Sequence, residues 1–361
     1  LLYRRNFEQT KIVFTNKLSS ELIKRYSKDL LTLVISEKIA KLYPFLIKEF
    51  KECSIDVIPF PDGEKVKTLN YFNKLCETLL ERKIQKETIL CAVGGGTLLD
   101  LCGFVSSILF RGIKWVAVPT TLLSMVDASI GGKTAINSKK GKNLFGSFHF
   151  PLEVFIDMNF LNTLPESHLR DGLVECVKCG IIRDKKLFEM CLNANLNDCD
   201  SLKLIVKKAQ EIKFKIVSKD PYEQKGERYL LNFGHTVGHS LEQYFNYRIS
   251  HGRCVAKGIV LESALSYIQG YLKKEDFLNL KESIEKISSQ TPPIRNLKLV
   301  WQNMAFDKKN KEKKVMYVPI KAIGKPALTS PFLAQINFKT LNKAFFMVKS
   351  HLSKINFDRT I

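Results

Sequence analysis

Only six histidines occur in these 361 residues, and three of them, His235, His239 and His251, fall inside the stretch LLNFGHTVGHSLEQYFNYRISHGRCV (Leu230–Val255). His235 and His239 stand i, i+4 in a helical pattern, so their imidazoles share a face. H-x-x-x-H is a metal-binding spacing, but the zinc-protease form needs Glu after the first His, and here that residue is Thr236. His251 lies in reach of His235 if the chain turns back between them. Three unrelated core or surface imidazoles are the alternative. A catalytic divalent site also needs a third protein ligand and an open position. Glu175, set among apolar residues in GLVECVKCG, is a candidate, because a carboxylate there is costly unless paired or metal-bound. Its alternative is an ordinary helical pair with Lys178 at i+3. Spacing alone thus offers His235, His239 and Glu175, with His251 close by.

Two further segments could hold anions. Gly94–Gly96 separates a strand-like run from a helix-like one, the place where backbone N–H groups and a helix N-terminus meet a phosphate. The pattern is not G-x-G-x-x-G, and a tight turn would explain it equally well. SIGGKTAIN (Ser129–Asn137) misses the P-loop by one residue, because Asp127 stands where the first glycine belongs, so a nucleotide triphosphatase is disfavoured. Lys133 and Thr134 after a glycine pair still make an anion cradle. KKGKNLFG (Lys139–Gly146) adds a second basic loop with Asn143. Two such loops suggest a phosphorylated substrate; two solvated surface loops are the alternative. The C-x-x-C of ECVKC has no second pair to complete a four-thiolate site, which favours packed thiols.

These residues need elements to position them. The length predicts two domains. KIVFT, LTLVIS, ETILCAV (Glu87–Val93) and KWVAVPT (Lys114–Thr120) read as β runs separated by helical patterns, which indicates a parallel sheet covered on both faces. After about Phe155 helical patterns dominate: Glu166–Ile182, Ser201–Ser218, Asn232–Tyr244, Cys254–Leu272 and Lys274–Ser288. The chain therefore reads as an α/β domain followed by a mostly helical one, joined near Phe155–Pro165.

The net charge of +21 is unusual, but the lysines are spread along the chain, with no Arg-rich arm, zinc-finger spacing or RNA-binding signature. That pattern predicts a solvated basic surface or an anionic small-molecule substrate, and no nucleic-acid partner. Nine cysteines without a secretory h-region predict reduced thiols and a cytoplasmic location. No apolar run reaches the ~18 residues of a membrane span, so no membrane partner is expected.

Taken in order, PDGEKVKTL, GGGTLLDLCGF, FRGIKWVAVPTTLLSMVDASIGGKTAIN, GKNLFGSFHFP, LVECVKCG, LNFGHTVGHSLE, His251–Gly252, DKKNK and AIGKP resemble the 3-dehydroquinate synthase family of sugar-phosphate cyclases. The resemblance covers nearly the whole chain. It implies a Rossmann-like NAD-binding α/β domain over 1–158 and a mostly α-helical metal- and substrate-binding domain over 159–361. It implies NAD and one divalent metal, zinc or cobalt, as cofactors. The reaction implied is conversion of 3-deoxy-D-arabino-heptulosonate 7-phosphate to 3-dehydroquinate and phosphate, by oxidation, phosphate β-elimination, re-reduction and intramolecular aldol closure. Glu175, His235 and His251 would be the metal ligands, which moves His239 to the substrate phosphate beside Lys133, Asn143 and one of Lys308 and Lys309. Arg111 would reach the phosphate in a neighbouring subunit's site, implying a homodimer. Arg228 and Lys213 would hold the carboxylate, and Asp127, Lys178 and Asn232 the hydroxyls. On the cofactor side, Asp62, Glu64 and Lys67 would line the ribose, and Gly95, Gly96 and Asp100 the pyrophosphate, with Thr120, Thr121, Lys133, Lys142 and Thr163 nearby. A sister cyclase acting on sedoheptulose 7-phosphate would share the metal and NAD residues; Asn232, Arg228 and Lys213 favour the dehydroquinate synthase. A metal-dependent polyol dehydrogenase would leave two phosphate-binding loops without a purpose. The chain departs from the family pattern at Arg253, where Glu is usual, in the PYEQK loop, one residue longer, and at Cys176 and Cys179.

Overall fold

LTLVIS and ILCAVG are buried along their entire lengths, as strands covered on both faces must be. The computed structural model describes residues 10–288, 293–305 and 314–349. They form two units, one holding the described residues to Gly172 with Asn195–Tyr222, the other Leu173–Ala194 with those from Glu223 onward.

The strands of the first unit are β1 (Lys11–Phe14), β2 (Leu31–Ser36), β3 (Asp56–Phe60), β4 (Ile89–Gly94), β5 (Lys114–Pro119), β6 (Lys133–Ser138), β7 (Gly141–Phe148) and β8 (Glu153–Ile156). Six of them make one parallel sheet in the order β1-β8-β5-β4-β2-β3. The expected set lacks β3, whose run is interrupted by Pro59, and β8, whose buried Val154–Ile156 run meets the segment read as the junction between domains. The helices α1 (Leu18–Arg25), α2 (Glu37–Leu42), α3 (Pro44–Glu52), α4 (Leu69–Glu81) and α5 (Gly96–Ile108) join these strands. The chain runs outward from β2 to β3, then returns to β4 and continues the other way to β5. Strand order therefore reverses between β2 and β4, and the carboxyl ends of such strands flank the crevice where α/β sheets take nucleotides.

The reading of SIGGKTAIN and KKGKNLFG as two loops needs correction. Most of both segments forms β6 and β7, an antiparallel hairpin pairing Lys133 with Phe148 and Ser138 with Gly141. Thr134, Ala135 and Ile136 are buried, while Leu144, Phe145 and Phe148 face outward. The basic and glycine residues masked this β-branched and aromatic pattern.

α6 (Glu166–Arg183) carries the chain from the first unit into the second; α7 (Lys185–Leu192) follows, and α8 (Cys199–Lys219) returns to the first. The second unit continues with α9 (His235–Tyr244), α10 (His251–Ile268), α11 (Lys274–Ile287), α12 (Leu297–Ala305) and α13 (Phe338–Lys349). α10 is buried on nearly every side from Cys254 to Ser266, the mark of a central core helix. It begins three residues before the expected Cys254, so His251 opens the helix. The expected helix Asn232–Tyr244 is instead a 3-10 turn (Glu227–Asn232) and α9, because Gly234 between them adopts φ +77°. No helix among the described residues is long and apolar enough to cross a membrane.

Candidate metal centre and substrate residues

Glu175 sits midway along α6, His235 is the first residue of α9, and His251 the first of α10. One potential ligand atom from each lies within 4.8 Å of the others. His235 Nε2 is 3.5 Å and His251 Nε2 3.4 Å from Glu175 Oε1. Glu175 and His235 are buried. Lys178 Nζ pairs with Glu175 Oε2 at 2.5 Å, yet neither carboxylate oxygen takes part in a well-directed hydrogen bond. Buried acceptors are normally satisfied. A carboxylate with lone pairs to spare, facing two imidazole nitrogens, is a donor set that suits zinc or cobalt.

The outer nitrogens are already engaged. His235 Nδ1 lies 3.1 Å from the Phe233 carbonyl and His251 Nδ1 3.4 Å from Glu242 Oε2, which leaves both Nε2 atoms facing Glu175. Such outer partners fix tautomer and ring orientation at metal sites. Burial, seconded by the Lys178 charge, holds His235 well below the usual histidine range, hence neutral and able to ligate. Burial works against ionisation of Glu175, but Lys178 and the imidazoles outweigh it and hold the carboxyl well below its ordinary range. At His251 burial is likewise outweighed: Glu242 and Glu175 raise its pKa to about 10.

His239 is exposed one turn beyond His235, their rings 5.1 Å apart, so the two do share a face. It is His251 that closes on Glu175, however; His239 joins His251 and Glu242 in a second group of potential ligands. Glu175 both faces the imidazoles and pairs with Lys178, the geometry that each reading of it requires. Elsewhere in this unit Arg228 is buried in the 3-10 turn, and Asn232 Nδ2 is buried with no hydrogen-bond partner. Lys308 and Lys309 lie outside the described residues. Cys176 and Cys179 are buried thiols, as expected.

In the first unit Asp127 occupies a single π-helical turn (Ser124–Ala128), a geometry that recurs at functional sites. Buried Lys213, on α8, donates to Asp127 Oδ1 and to its carbonyl, each at 2.5 Å. Lys67, also buried, donates to Asp100 Oδ2 and Asn143 Oδ1, both at 2.6 Å. Burial raises the Asp100 pKa against the opposing pull of Lys67. Glu64 accepts from Asn137 Nδ2 at 2.7 Å and pairs with Lys142 at 3.4 Å. The loop after β3 and the tip of the β6–β7 hairpin thus share one polar network. Asp62 accepts from Ser36 at the end of β2. Gly95 is the side-chain-free N-cap of α5, and a Cβ on Gly96 would come within 3.0 Å of Ala128 Cβ. The Thr120 amide donates to the Gly94 carbonyl at 3.0 Å, and Thr121 exchanges hydrogen bonds with Ser124. Thr163, after β8, lies 3.0 Å from the Tyr43 hydroxyl. Lys133 is exposed at the start of β6; Arg111 is exposed beyond α5, with φ +63°.

Sequence reasoning passed over Glu242 and Glu262. Glu242 stands i+7 from His235, on the same helical face, a signal that could have found it. Glu262 interrupts the apolar run of α10.

Known proteins bear on this arrangement. Residues 57–171 match the family model described as 3-dehydroquinate synthase N-terminal, and residues 172–310 the one described as 3-dehydroquinate synthase C-terminal. A 3-dehydroquinate synthase of Campylobacter hominis is 38% identical over 295 residues, spanning 81% of this chain and 86% of its own. One from Coxiella burnetii is 38% identical over 312 residues, spanning 84% and 87%. The solved structure of 2-epi-5-epi-valiolone synthase from Streptomyces hygroscopicus, with NAD+ and Zn2+ bound, aligns with a TM-score of 0.85 at 21% identity, over 94% of this chain and 96% of that one. It shows a common fold. Two consecutive family models that together run from β3 past α10, and relatives this similar over most of their length, leave one conclusion: the chain belongs to the 3-dehydroquinate synthase family.

Proposed function

We propose that this chain is a 3-dehydroquinate synthase that converts 3-deoxy-D-arabino-heptulosonate 7-phosphate to 3-dehydroquinate and phosphate, using NAD and one divalent metal, zinc or cobalt. The observation that carries the reading is the cluster of buried Glu175 and His235 with half-buried His251 in a member of this family. When bound, the metal polarises a substrate alcohol and NAD accepts its hydride and later returns it, so there is no net redox change.

The protein's own contribution is binding and electrostatics. Glu175, His235 and His251 hold the metal, and Lys178 keeps Glu175 ionised while contacting a hydroxyl. Lys133, Asn143, His239 and one of Lys308 and Lys309 hold the phosphate. Lys213 and Arg228 hold the carboxylate; Asp127 and Asn232 contact hydroxyls. Asp62, Glu64, Lys67, Gly95, Gly96, Asp100, Thr120, Thr121, Lys142 and Thr163 bind NAD, and Lys133 borders it. The position of Gly94–Gly96 beside the strand-order reversal supports the NAD assignment. The chain acts in the cytoplasm, where its thiols stay reduced. It forms a homodimer in which Arg111 reaches the neighbouring site. Support for this comes from Ile108 and Phe110, exposed beside Arg111, and from the Ser147–Ser107 hydrogen bond that ties β7, with Phe145 and Phe148 exposed, to the end of α5.

The test is phosphate release from 3-deoxy-D-arabino-heptulosonate 7-phosphate, run beside sedoheptulose 7-phosphate. Release from the former that requires both NAD and metal, without accumulation of NADH, is expected. Release from sedoheptulose 7-phosphate alone would assign the chain to a sister cyclase, and net NADH formation would make it a dehydrogenase.

A further inference from the structure

α9 begins at a residue that cannot cap it. Gly234, the N-cap, has no side chain, while the amides of a helix's first turn need acceptors. In a capping box the N-cap and N3 side chains satisfy each other's amides. Here one carboxylate from another helix does both tasks. The Gly234 amide donates to Glu262 Oε2 at 2.8 Å, and the Val237 amide to Glu262 Oε1 at 3.1 Å. The Glu262 side chain is completely buried, and its charge suits the positive end of α9.

Glu262 belongs to the helix that His251 opens, eleven residues later, and eleven residues bring an α-helix back to the same face. The intervening members of that face form the contact with α9. A Cβ on Gly238 would lie 3.2 Å from Val255 Cα, and one on Gly258 only 1.9 Å from the Gly234 carbonyl oxygen. One stripe of α10 thus presents a potential metal ligand at its start, a close backbone contact in the middle and the cap of α9 at its end. The residue directly after the capped Gly234 is His235.

We propose that Glu262 is a positioning residue for the metal centre. By closing the N-terminus of α9 from α10, it sets the register between the two helices and holds His235 against Glu175 and His251. The inference rests on the reading of those three residues as metal ligands.

The test is the zinc affinity of the full-length metal-free protein, measured by competition with a chromophoric chelator, together with the visible spectrum of the cobalt(II) form. Glu262→Ala should weaken zinc binding at least about tenfold, the scale of losses from outer-sphere partners, and shift the cobalt bands. Glu262→Gln, which keeps the size and one acceptor, should fall between Ala and wild type. Asp184→Ala, which removes the N-cap of α7 in the same unit, should lower Tm yet leave zinc affinity within twofold. Folded Glu262→Gln and Glu262→Ala proteins with wild-type zinc affinity and an unchanged cobalt spectrum would overturn the proposal, whatever their Tm. If Glu262→Ala does not fold, Glu262→Gln decides by the same criterion. Wild-type protein that binds no zinc, or that loses none of its affinity in His235→Ala, would instead refute the metal reading and this inference with it.

Discussion

At the scale of single residues, Glu175 shows most plainly how charge is managed. It is almost wholly buried, and its nearest counter-charge, Lys178, is equally buried. Breaking a buried pair by removing one partner costs about 3–5 kcal/mol. Lys178→Met should therefore destabilise the metal-free protein by roughly that amount, and the loss should shrink when zinc is added, because a cation then compensates the carboxylate. Thermal unfolding with and without zinc measures both. Glu242→Gln should weaken zinc binding about 10–100-fold through His251, as loss of an outer-sphere partner does, in the same chelator assay. The histidines were legible in the sequence because few exist and glycines surround them. Which imidazole would meet Glu175 was legible only through the family resemblance, since spacing within one helix cannot say where the next helix starts. Glu242 was signalled only by its i+7 spacing from His235, and Glu262 is one helical carboxylate among many until the α9 amides distinguish it.

Among the elements, β2, β4 and β5 spoke clearly, as apolar runs buried along nearly their whole lengths. β3 is interrupted by Pro59, β8 runs into the segment read as the domain junction, and the β6–β7 hairpin has no alternating burial and is rich in lysine, so its composition read as loop. The consequence for the proposed cofactor region is that Lys67, in the loop after β3, meets Asn143 on a hairpin strand rather than in a second loop. Lys67→Met would strip Asp100 of its partner and untie the hairpin tip. NAD affinity should fall at least tenfold, read by fluorescence titration, while zinc affinity stays unchanged. In the helical unit Gly258→Ala places a methyl group where the Gly234 oxygen already lies, and overpacking of this kind costs about 1–3 kcal/mol or more. Chemical denaturation should show that loss. Gly270→Ala makes a useful contrast, since no atom stands within 4 Å of its Cβ and only its φ of +79° resists the change.

For the molecule as a whole, the net charge of +21 sets the approach of an anionic substrate. Attraction of this range is screened beyond about 8 Å at physiological ionic strength. Raising salt should therefore lower kcat/KM several-fold while leaving kcat nearly constant; steady-state kinetics across a salt series would show it. The cysteines add a different consequence. Cys199 is exposed and Cys53 half-buried, whereas Cys76, Cys91 and Cys102 are buried in one unit and Cys176, Cys179, Cys191 and Cys254 in the other. A thiol reagent should mark Cys199 and then Cys53 in the folded protein and reach the seven buried thiols only as each region opens. The chain thus carries its own clock for each half, readable by peptide mass, and zinc should slow the clock of the second half far more than that of the first.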